Sequence, residues 1–243
     1  MPFTLKTSGL SLQYNEDDCS LVDGDYHRLR KAISKDKWSE VRDKLSQYRT
    51  SLMENTTKKF HDDWDLSGYV KTVGKDNMLH QICRHHPPYT VVILVLSIFP
   101  TMVTELNHQG RTSLHIAAAY GASLKVVSLI YSTYPEAALI RDAKAGKTPL
   151  HLHLWYCSNE KICDPGYLFR QGSEDDKVQL VRGPMLPIVK YLARNAPQAL
   201  HVKDFRTRTP IQVAIEKKAD CSVTSYLSDK ISKSHSRTAY RGV

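Results

Sequence analysis

Gly110-Arg-Thr-Ser-Leu-His-Ile-Ala-Ala-Ala-Tyr-Gly121 decides the reading of this 243-residue chain, because the phrase returns. Its opening recurs at Gly146-Lys-Thr-Pro-Leu-His151, and looser forms stand at Met78-Leu-His-Gln81 and Thr209-Pro-Ile-Gln-Val-Ala214. With Thr112 as the reference, the equivalent positions are Asn77, Thr148 and Thr209, at steps of 35, 36 and 61 residues. The last step is one repeat plus about 25 further residues. A second marker keeps phase with the first: the apolar stretches Val91–Phe99, Val126–Tyr134 and Ile188–Ala196 each end directly at Pro100, Pro135 and Pro197. A period in this range, carried by two independent markers, is the signature of stacked helical units rather than of one closed core.

Each unit reads as two short helices. In the first, over 113–120, Leu114, Ile116, Ala117, Ala118 and Ala119 are small or apolar residues that let neighbouring helices approach, and Gly121 supplies a terminating turn with positive φ. The second, over about 124–132, gathers Val126, Val127, Leu129 and Ile130 on an apolar face, and Pro135 forbids continuation. Such a pair buries its apolar faces only against its neighbours.

On these residues the chain resembles the ankyrin-repeat family. The family pattern of threonine, proline, leucine and histidine followed by two alanines matches Thr148-Pro149-Leu150-His151 at its start and Leu114-His-Ile-Ala-Ala118 through its middle, with Leu79, His80, Thr209 and Pro210 in the weaker copies. The resemblance implies an all-α ankyrin-type solenoid with units lengthened to about 35–36 residues. It also implies that Thr112, Leu114, His115, Gly121, Thr148, Leu150 and His151 hold the stack, the histidine tying adjacent units through backbone near the turn. Gln212 departs from the pattern by replacing that histidine. Lys75 and Thr207 stand where Gly110 and Gly146 stand in the middle units, so less regular turns are expected at the ends.

The expected organisation is a flexible acidic segment over 1–25, then a degenerate capping repeat and long connection over 26–74. Repeats follow over 75–230 with an insertion at 158–183, and a basic tail closes the chain at 231–243. Trp38, Val41, Leu45 and Tyr48, at steps of three and four, mark the capping helix. The longest apolar stretch, Val91–Phe99, is far too short to span a bilayer. Residues 1–9 show neither the basic segment nor the apolar core of a signal peptide, and Cys19, Cys83, Cys157, Cys163 and Cys221 are odd in number and scattered. An intracellular location, in cytoplasm or nucleus, with reduced thiols is the expectation.

Chemistry is poorly represented. The clusters His80, Cys83, His85, His86 and His151, His153, Cys157, Cys163 contain no paired CxxC, and His80 and His151 already have structural roles under the resemblance. Ser113 and Ser132 have no evident base, and the glycines are spaced as turn residues rather than as a phosphate loop. Neither enzyme activity, nor a cofactor, nor a metal is expected.

Charge is the stronger signal. The net charge is +9, and residues 1–25 carry −4 of it, leaving +13 on the remainder. Arg111, Lys144, Lys147, Arg206 and Arg208 recur at the turns between units, where successive turns would align them as a basic edge. Glu105, Asn107, His108, Arg141, Asp142, Lys203 and Asp204 complete the turn tips, where exposure is expected. Beyond the Asp164-Pro-Gly166 turn of the insertion, Tyr167, Phe169 and Arg170 are further candidate contacts. These residues point to a non-enzymatic scaffold that binds a protein partner, an acidic one suiting the charge, through its concave face and turn tips. The alternatives are a structural subunit of a larger assembly, or a nucleic-acid-binding accessory protein using the basic edge.

Overall fold

The computed structural model describes residues 24–53, 76–156 and 186–239. Residues 1–23, the connection 54–75, the stretch 157–185 that contains the insertion 158–183 with Tyr167, Phe169 and Arg170, and the end of the tail at 240–243 lie outside the described residues.

Ten α-helices, and no strand, are formed among the described residues. They are α1 (Gly24–Ser34), α2 (Trp38–Met53), α3 (Met78–Arg84), α4 (Tyr89–Ile98), α5 (Ser113–Ala119), α6 (Leu124–Thr133), α7 (Pro149–Tyr156), α8 (Leu186–Asn195), α9 (Pro210–Glu216) and α10 (Cys221–Ala239). The short helices α3, α5, α7 and α9 stack in sequence as one layer. The longer helices α2, α4, α6, α8 and α10 stack as a second, and each short helix packs on its longer partner. The fold is therefore all-α, a repeated stacking of helix pairs.

Local sequence explains the short layer. Helices of seven or eight residues are marginal alone in water, so capping and packing must supply what length does not. Asn77 caps α3 by accepting the His80 amide at 2.9 Å, and Thr148 and Thr209 stand at the same place before α7 and α9. At the other end of α5, Gly121 takes φ 68° while its amide bonds Ala118 and the Ala122 amide reaches back to Ala117 at 2.9 Å. This double closure satisfies carbonyls that the helix leaves open. Asp36 after α1 (φ 54°) and Lys218 after α9 (φ 53°) make the same pair of bonds, and His86 after α3 has φ 51°. The first helix pair thus ends its first helix as the pairs of α5 and α9 do, although no phrase in its sequence announces it.

Three of the long helices, α4, α6 and α8, are stopped by proline. Pro100, Pro135 and Pro197 each open a single 3-10 turn, Pro100–Val103, Pro135–Ala138 and Pro197–Leu200, and each turn buries two of its residues. The core is a continuous seam between the layers, from Leu29, Ile33 and Leu45 through Leu79, Ile82, Leu114, Ile116, Val127 and Ile130 to Leu150, Leu192 and Val213. Ala117 is fully buried in it and Ala118 fully buried beside it, where α5 packs on α7 and a larger side chain would overpack the contact.

The turn before α9 departs from expectation. Thr207 holds φ 60°, matching Gly110 (φ 67°) and Gly146 (φ 68°), so the turn keeps its shape without a glycine. A β-branched residue pays for that conformation in strain. Thr207→Gly is expected to stabilise the fold by up to about 1 kcal/mol, part of the relief being offset by greater freedom of the unfolded chain. A higher urea midpoint at unchanged slope is the expected readout. The reverse substitution at Gly110 is blocked twice, because a Cβ there would also lie 2.8 Å from the Ala143 backbone nitrogen.

Candidate functional site

The turns are built around three equivalent side chains. Asn107 Oδ1 accepts the amides of Gln109 and Arg111, Asp142 Oδ1 those of Ala145 and Lys147, and Asp204 Oδ1 those of Arg206 and Arg208, all at 2.9–3.0 Å. Each turn is also closed by backbone, from Asn107 to Arg111, Asp142 to Lys147 and Asp204 to Arg208. Neighbouring turns are stitched together, the Ala143 amide to Gln109 and the Phe205 amide to Ala145. The turns therefore form one connected edge rather than three independent loops.

A histidine ladder runs behind that edge. The Thr112 amide donates to His115 Nδ1 at 3.1 Å, and the ring's Nε2 faces the carbonyls of Ile140 and Lys147 at 3.0 and 3.2 Å. An amide can only donate and a carbonyl only accept, so the ring is neutral with its proton on Nε2. His80 Nε2 reaches the Arg111 carbonyl at 2.8 Å and His151 Nε2 that of Arg208 at 3.0 Å. Each histidine thus links its unit to the turn that opens the next. In the last unit Gln212 Oε1 accepts the Thr209 amide at 2.8 Å, reproducing the inner half of the contact.

Burial pushes the His115 imidazole down to about 4, against the pull of Asp142 and of the carbonyls it meets. Burial also lowers His80 and His151. The unfolded chain binds a proton near pH 6.5 and the folded one resists it, so stability is full above pH 6.5 and falls as pH drops toward 4. His115 alone is expected to cost about 3 kcal/mol across that window, levelling below it. Urea midpoints at pH 7, 5.5 and 4.5 measure the fall.

Five of the basic residues singled out from the sequence, Arg111, Lys144, Lys147, Arg206 and Arg208, come together around a cleft of about 390 Å³. Trp155, Tyr156 and Phe205 join them. Trp155 is the centre: the Lys147 and Lys217 ammonium nitrogens lie 3.3 and 3.6 Å from its ring centroid, and the Arg208 guanidinium carbon 5.1 Å. Phe205 is 59% exposed at the rim, with Arg141 4.9 Å over its ring and Gly146 leaving it room. A Cβ at Gly146 would come within 2.5 Å of the Phe205 ring.

The expected exposure of the turn tips is corrected at seven positions, the first being Glu105, which is half-buried and accepts from Asn77 Nδ2 at 2.8 Å. Asn107, Asp142 and Asp204 are buried because their side chains organise the turns they stand in. Arg111 is 8% exposed and paired with Asp142 of the next turn at 3.0 Å. Lys147 is 7% exposed beneath the turns, against Trp155. Arg208 is partly buried in bonds to Asp204 and Glu216. Lys144, Arg206, Arg141, Lys203 and His108 are exposed.

Trp155 and Lys217 were not singled out by the sequence reading. A signal existed: Trp155 lies four residues after His151, where the other units carry Arg84, Ala119 and Glu216, so a large aromatic there breaks the repeat on the inner helix. Among the described residues, no three His, Cys, Asp or Glu side chains converge as metal ligands, and no helix is long and apolar enough to cross a membrane. The Cys83 thiol is fully buried, and burial drives it far above its ordinary value.

Neither a protein-family model nor any curated protein matches the sequence of this chain.

Proposed function

We propose that this chain is an ankyrin-type interaction module whose concave cleft grips an acidic segment of a partner protein. The repeated Thr-Pro-Leu-His phrase and the unit-to-unit histidine bonds support the ankyrin-type reading. The observation that carries the binding role is the cationic cleft. Lys144, Lys147 and Arg206 line it beside Trp155, and Lys217 lies over the same indole, with no carboxylate within ion-pair distance of the four among the described residues. Arg111 and Arg208, by contrast, are already neutralised by Asp142, Asp204 and Glu216, and act as walls.

Rigidity adds to affinity. The side chains are carried on turns fixed by backbone bonds to each other, so little ordering remains to be done on binding. Nucleic acid is the weaker reading, because single strands need open aromatic faces to stack on and lysines lie against the Trp155 indole. Fluorescence anisotropy with an Asp/Glu-rich peptide and with a generic oligonucleotide separates the two. The peptide is expected to bind, and to lose at least about tenfold in the Lys144→Gln, Arg206→Gln double variant. Tighter binding of the oligonucleotide, with a steep salt slope, would reverse the assignment.

A further inference from the structure

Lys147 poses a problem that the acidic-partner reading alone leaves unsolved. A buried ammonium is ordinarily paired, because leaving water costs several kcal/mol. Lys147 is 7% exposed, and Asp142 and Asp204, the acids nearest to it, spend their oxygens elsewhere. Asp142 binds two amides and Arg111, and Asp204 binds two amides and Arg208. What Lys147 touches is the indole of Trp155, with Lys217 at the same ring. Lys144 and Arg206 stand exposed at the mouth of the same cleft. One enclosed and two exposed cations, Lys147, Lys144 and Arg206, thus line a space of about 390 Å³ with no carboxylate paired to them among the described residues, and Lys217 adds a further charge over the same indole.

The size of this surplus selects the ligand. A carboxylate brings one negative charge and would leave most of it uncompensated. A phosphate monoester brings nearly two charges and three strong acceptor oxygens, enough to meet an arginine fork and more than one ammonium at once. We propose that the cleft is the seat of a phosphorylated serine or threonine in the partner's segment, with Lys147 at its floor and Lys144, Arg206 and Lys217 around it. This rests on the reading of the chain as a binder of acidic protein segments and narrows it to a phosphorylated one.

The seat carries a proton signature. Burial, together with the positive charges of Arg208 and Lys217, holds Lys147 down at about 8, against the opposing pull of Asp142 and Asp204. Lys144 and Arg206 line the same cleft as further cations, and Arg111 lines it paired with Asp142. A dianion placed there restores the ordinary preference for ammonium, so binding at pH 8 takes up a proton on Lys147.

The test is calorimetric titration of the full chain, at fixed ionic strength, with four probes. These are a capped Ala-Ala-phosphoserine-Ala-Ala peptide, its glutamate and serine counterparts, and inorganic phosphate. The phosphoserine peptide is expected to bind about tenfold or more tightly than the glutamate peptide, and the serine peptide not at all. Arg206→Gln, at an exposed position that leaves the fold intact, should weaken the phosphoserine peptide by about five- to tenfold. At pH 8 the heat should vary with buffer ionisation enthalpy, and Lys147→Gln should abolish that dependence. Equal affinity for glutamate and phosphoserine peptides would overturn the phosphorylated ligand while leaving the acidic-segment reading in place. Inorganic phosphate binding as tightly as the peptide would overturn the protein source. Failure of all four probes would remove both readings.

Discussion

Asp142→Ala is expected to cost about 4–5 kcal/mol of unfolding free energy, the largest loss from any single side chain in the turns. The residue is fully buried and does two jobs. Its Oδ1 accepts the amides of Ala145 and Lys147, and its Oδ2 accepts Nε and Nη2 of Arg111 at 3.1 and 3.0 Å. Burial would raise such a carboxyl, but the two amides and the guanidinium hold it below the usual carboxylate range. Truncation strands two donors and leaves Arg111 as an uncompensated buried charge, the configuration that is most costly. Asp142→Asn keeps the side-chain oxygen for the amides and should lose less. Pairing Asp142→Ala with Arg111→Met should recover part of the loss, because the stranded charge goes too. Urea denaturation of the four proteins measures both effects, and equal losses for Ala and Asn would show that the turn amides carry nothing.

His115→Ala is expected to cost about 3–4 kcal/mol. The substitution opens a cavity between α5 and α7, leaves the Thr112 amide without its acceptor, and frees the Ile140 and Lys147 carbonyls. The molecule contains its own control. At the equivalent position of the last unit, Gln212 already accepts the Thr209 amide, so His115→Gln should restore that inner bond and recover about 1 kcal/mol. It should also remove the fall in stability between pH 6.5 and 4 that His115 contributes, since glutamine does not titrate. Retention of the full acid sensitivity in His115→Gln would assign it to other groups.

The stacking of helix pairs was legible because the signals that define it are local: a capping side chain, a helix of small residues, a turn and a proline, each within a few positions of the next. The second helix ends where Pro100, Pro135 and Pro197 place it, and the short helices α5, α7 and α9 begin directly after Thr112, Thr148 and Thr209. The turn tips were legible only as positions. Arg111 and Lys147 read as exposed because charged residues in turns usually are, and the acid that buries Arg111 stands 31 residues away. The regularity of the turn at Thr207 was hidden for another reason: the organising bonds come from Asp204, so the glycine is helpful but dispensable. The cleft was half visible, its cations readable from their recurrence and its aromatic centre not, since Trp155 announces itself only as an exception at a position otherwise filled by Arg84, Ala119 or Glu216.

The stitching of one turn to the next has a consequence for how such a chain can change. Each of the three histidines and the carbonyl it grips sit on opposite sides of a unit boundary, so gain or loss of one whole middle unit leaves these boundaries with both halves. The cleft does not share that tolerance. Lys147 and Trp155 belong to one unit and Arg206, Arg208 and Lys217 to its neighbour, so the site exists at one junction alone and vanishes when either side is exchanged. Architecture in this molecule is portable, while the recognition proposed for the cleft is tied to a single address.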